Sequence, residues 1–92
     1  MNEELNRVLL DFQQFLIDTW DFTIHIINAY ITILVPFLIW LDTKAYPLDH
    51  NKLLEYFQEY KDQIGMSVEE QDYIDDYIYD FIFYLEKKNS KP

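Results

Sequence analysis

Two histidines, one serine ahead of an acidic run and a line of carboxylates are the groups with which this sequence could do chemistry. His25 has Asp21 one helical turn before it, the spacing of half a metal site, but no further ligand stands at a matching interval. His50 sits beside Asp49 and reads as an exposed helix start. Ser67 is followed three residues later by Glu70, which makes it a capping residue and not a nucleophile with a base. Ser90 falls in a C-terminal tail. The absence of cysteine excludes thiol catalysis, thiolate metal sites and a disulfide framework. One glycine in the whole chain, Gly65, cannot build a phosphate-cradling loop, and the ligand spacing of a calcium loop is missing. The expectation is a protein that is not an enzyme, with no cofactor and no metal.

The carboxylates are more informative. Glu69, Asp72, Asp76 and Asp80 fall on one line of a helix, flanked by Tyr73 and Tyr79. Neighbours on such a line are about 5–6 Å apart, close to the repeat of a phosphate backbone. A solvated helix face accounts for this pattern. So would a nucleic-acid mimic that plugs a basic groove. The whole chain points the same way, with 17 acidic and 7 basic residues and a net charge of −10. Direct nucleic-acid binding is disfavoured, because phosphates need a Lys/Arg surface. Plain solubility of a strongly apolar chain accounts for this charge, and a basic protein surface would be the complementary partner.

The elements that carry these groups follow from periodicity. Phe22 to Leu41 is apolar on almost every side, and its polar residues His25, Asn28 and Thr32 keep helical spacing. The stripe continues backwards in phase through Asp21, Asp18, Gln14, Asp11, Arg7 and Glu4. That continuity predicts one long helix from about residue 2 to about 41, kinked near Pro36, where a ring replaces an N–H. Asp42 to Pro47 is the first break. Asp49 is the expected N-cap of a second helix over about 49–64, which Gly65 stops. Ser67 opens a third over about 68–88, with acidic residues early and Lys87 and Lys88 late, as the helix dipole favours. The fold class is therefore all-α, one domain over 1–92. The long apolar helix packs on an acidic helical hairpin at 48–88, and residues 89–92 form a tail.

Half of the residues are hydrophobic and 18% are aromatic, more than 92 residues in three helices easily hide. The surplus predicts an interface, with self-association through the long helix. Trp20, Ile24, Ile27, Ile31, Phe37 and Trp40 are the expected contacts. Glu69, Asp72, Tyr73, Asp76, Tyr79 and Asp80 form a second candidate surface. The alternative is a single-pass membrane protein, since about 20 apolar residues match a hydrocarbon core of about 30 Å and Trp20 and Trp40 mark its ends. The polar stripe would then partly face lipid, at a cost, so a cytoplasmic location stands first and a membrane location second. The acidic start and the late apolar run do not make a signal peptide.

In size, acidity and lack of catalytic residues the chain resembles the broad class of small inhibitor proteins, including phage-encoded antagonists of bacterial defence and bacteriocin immunity proteins. That similarity is one of composition, with no motif behind it. It implies a protein that binds another protein and inhibits or regulates it.

Overall fold

The structure, a computed structural model, describes residues 3–89. Four helices follow in order: α1 Glu3–Trp20, α2 Ile24–Lys44, α3 Leu53–Gln63 and α4 Val68–Asn89. They pack against one another into an all-α fold, with no strand among the described residues. The expected helix start at Asn2, and residues 90–92 of the expected tail, lie outside the described residues, while Asn89, expected in that tail, closes α4.

The single long helix is not there. α1 ends at Trp20, and Asp21 turns the chain with φ +53°. Asp is one of the few residues that visit this left-handed region at modest cost. Its N–H still reaches back to the Ile17 carbonyl at 2.9 Å. Thr23 is extended, and its carbonyl accepts the Ile27 N–H at 3.0 Å to start α2. A rod of 40 residues would be about 60 Å long, far beyond what 11-residue α3 and 22-residue α4 could cover. The break lets α1 fold back and share one core. The polar stripe keeps phase because each helix has its own solvent face and the short link happens to bring them into register. Pro36 lies inside α2 on its exposed side and does not end the helix.

The hairpin comes out as expected in its second half. Gly65 has φ +69°, and Ser67 Oγ accepts the Glu70 N–H at 3.2 Å. The first half differs. α3 begins at Leu53, not near His50, and Lys52 precedes it. Asp49 instead caps a turn, its Oδ1 accepting the Asn51 N–H at 3.0 Å and its carbonyl the Lys52 N–H at 2.9 Å.

All four helices feed one core, in which Phe12, Leu34, Phe37, Leu53, Phe57 and Phe81 are shut off from solvent. Phe12 presents its ring edge-to-face with Phe81 (5.1 Å) and Tyr30 (5.8 Å), which ties α1 to α4 and α2. Phe37 does the same with Phe57 at 5.0 Å, which ties α2 to α3. Each such pair adds about 0.5–1.5 kcal/mol beyond its burial. Lys61 is the one buried charge among the described residues. Its ammonium meets Asp75 at 2.6 Å and lies 5.2 Å from the Phe57 ring, so α3 and α4 are pinned in one register.

Candidate binding surface

α4 runs antiparallel beside α2, and two tyrosine–aspartate pairs hold it down. Tyr30 on α2 donates its hydroxyl to Asp80, and Tyr84 donates to Asp11 on α1. Lys88 Nζ approaches the same Asp11 carboxylate at 3.5 Å. Burial, then the hydrogen bond and negative charge of the partner carboxylate, push both phenols well above their ordinary range. Both tyrosines therefore act as neutral donors. A buried tyrosine needs such a partner, and Asp80 of α4 supplies it to Tyr30.

With α4 docked this way, its outer carboxylates become one bank of a shallow groove. Asp72, Asp76 and Asp80 stand on that bank with Tyr73, Tyr77 and Tyr79, and Ile26 and Tyr30 of α2 stand opposite. The groove continues toward the α3–α4 turn, where Ile33 of α2 faces Glu69, Tyr73 and Ile74. Tyr73 lines both parts and is 70% exposed. The Tyr77 ring meets Tyr30 edge-to-face at 4.8 Å, which makes the floor aromatic. A hydrogen bond with Tyr73, then burial and the nearby charge of Asp76, raise the Tyr77 phenol. Glu69, Asp72 and Asp76 are exposed and form no ion pair among the described residues.

The expected acidic surface is thus brought together: Glu69, Asp72, Tyr73, Asp76 and Tyr79 face outward beside one groove. Asp80 differs, being half-buried and held by Tyr30. The expected apolar surface is divided. Ile27 is 2% exposed and Phe37 0%, so the chain's own core uses them and a partner meets neither in the folded monomer. Trp40 is half-buried, its indole N–H donating to Gln63 at 3.0 Å. Ile31 is half-buried, and Ile24 stands 62% exposed at the start of α2. Trp20 closes α1, stacked on Phe22 and Phe83 at 5.5 and 5.9 Å.

The bank supplied by α2, Ile26 with Ile33, was not foreseen. Nothing in an apolar helix marks which residues its neighbours leave uncovered. Tyr30 carried the one usable signal, as a hydroxyl within an apolar run. His25 is exposed, and His50, half-buried in the turn before α3, lies 3.1 Å from the side chain of Asn89 at the end of α4, so it is not an exposed helix start. Among the described residues no group of three or more histidines and carboxylates could hold a metal ion. No known protein family, curated protein or solved structure matches this chain.

Proposed function

We propose that this chain is a small non-enzymatic binding protein that inhibits or regulates another protein by docking on it, with the outer face of α4 as its contact. One observation carries this reading. Glu69, Asp72 and Asp76 stand exposed, with no ion pair among the described residues, beside the exposed rings of Tyr73 and Tyr79. Tyrosines with two soft torsions and a polar tip are favoured at contacts, and unneutralised carboxylates steer a basic partner. The test compares immobilised wild type with the triple variant E69K/D72K/D76K. A partner that co-elutes with wild type at a fixed ratio, and not with the variant, supports the reading. Equal retention by both sinks it.

A second reading has one feature in its favour. α2 is the one described helix long and apolar enough to cross a membrane, and only a third of its most apolar stretch is buried inside the fold. Against it stands the core, which would lose Leu34, Phe37 and Leu38 if α2 left. Recovery of the chain in the detergent-free supernatant after ultracentrifugation removes this reading, and recovery only from the membrane pellet establishes it. Self-association, if it uses α2, has exposed Ile24, Ile26 and Ile39 as its contacts, with Ile31 and Trp40 half-buried.

A further inference from the structure

The groove between α2 and α4 has two unlike banks. On the α4 side Glu69, Asp72 and Asp76 follow one helical line at intervals of three and four residues. On the α2 side stand Ile26 and Ile33, and no charged residue occurs from Ile26 to Leu41. The floor between them is the Tyr30–Tyr77 pair, with Tyr73 standing over it. From Glu69 to Asp80 the acidic bank spans about 16 Å, three turns of helix.

We infer that the occupant of this groove is a basic amphipathic helix of a partner protein, lying with its apolar stripe on Ile26, Ile33 and the tyrosines and its Lys/Arg edge along α4. The inference rests on the protein-binding reading above and names the chemistry of its partner. Charge complementarity selects the sign: the bank offers carboxylates about one turn apart, and a helix carrying Lys or Arg at i, i+3 and i+7 presents cations at the same intervals. The bare α2 bank selects the amphipathic character, because a uniformly cationic surface would leave its own charges stranded over Ile26 and Ile33. A second copy of this chain does not fit. None of its described helices carries Lys or Arg at i, i+3 and i+7, and α4 ends in adjacent lysines, Lys87 and Lys88, which lie over Phe83 and Tyr84.

The probe is a fluorescein-labelled peptide of about 15 residues, built to be helical with a leucine stripe and one lysine edge. A second peptide keeps the composition and scrambles the stripe. Fluorescence anisotropy at about 50 mM and about 300 mM salt reads the binding. The striped peptide is expected to bind wild type. D72K/D76K should weaken it by roughly tenfold or more, whereas E4K/E55K/E86K, with three exposed carboxylates away from the groove, should change it little. I26S/I33S should weaken it with the acidic bank intact, and thermal melts confirm that each variant folds. Equal binding of striped and scrambled peptides overturns the inference in favour of charge mimicry. No binding of the striped peptide also overturns it. The protein-binding reading would survive that second result if E69K/D72K/D76K still loses a co-eluting partner, and would fall with it otherwise.

Discussion

Tyr30 and Tyr84 show how single side chains set the conditions under which this fold holds. Each phenol donates to a carboxylate on another helix, and each is shifted upward from the ordinary phenol value of 10.0. The unfolded chain therefore releases these protons first as pH rises. The stabilisation is complete below pH 10 and is lost progressively above it. Urea titrations at about pH 8 and about pH 10.5 should show wild type losing stability between them. Y30F/Y84F should be weaker at the lower pH, by about 1–3 kcal/mol that comes mainly from half-buried Asp80, since exposed Asp11 keeps Lys88 beside it, and should lose less on going to the higher pH. A fall of equal size in both proteins would mean that other groups control alkaline unfolding. Lys61 is a further single side chain on which the packing depends: its buried ammonium is tolerated because Asp75 and the Phe57 ring receive it.

Among the elements, those set by local chemistry were legible in the sequence and those set by distant packing were not. Gly65 and Ser67 stop one helix and start the next through dihedrals and a cap within a few residues, so their roles could be read directly. Gly65 allows a clean measurement. A Cβ built there meets nothing within 4 Å, so Gly65→Ala tests backbone alone. At φ +69° the expected cost is about 1–2 kcal/mol, read as a lowered melting temperature. No change would mean that the turn shifts freely. The start of α3 was misplaced because Asp49 can cap a turn as readily as a helix. The break after Trp20 was hidden because the polar stripe runs through it in phase, and only the length that α3 and α4 can cover forces the fold-back. The candidate surface divides in the same way. Its α4 bank was visible from carboxylate spacing, whereas Ile26 and Ile33 became a bank only through where α4 comes to rest.

As a whole molecule, the chain spends part of its small stock of cations on itself. Lys61 is held by Asp75 and Lys88 lies near Asp11, which leaves the outward line of α4 to shape the field that a partner meets. The radius of gyration, 12.9 Å, is close to the roughly 12 Å of a folded domain of this length, so the four helices close on one another within a single copy. That closure hangs on a short link. The covalent connection of α1 to the rest is residues 21–23 alone, and its outer stripe is in step with that of α2. Rotating Asp21 out of its left-handed well would weld α1 and α2 into one rod, and α1 would then find its α4 on a neighbour. Reciprocal exchange of α1 between two copies keeps the packing of Phe12 on Phe81 and changes little but the hinge. Asp21→Ala, which tolerates φ +53° less well, should therefore shift light scattering to twice the wild-type mass, whereas Asp21→Gly should keep the wild-type mass. Equal masses for the two variants would show that the hinge does not govern exchange. In the dimer the in-phase stripe would become the outer face of a continuous helix, so the rod written in the sequence would be a second arrangement of the same contacts.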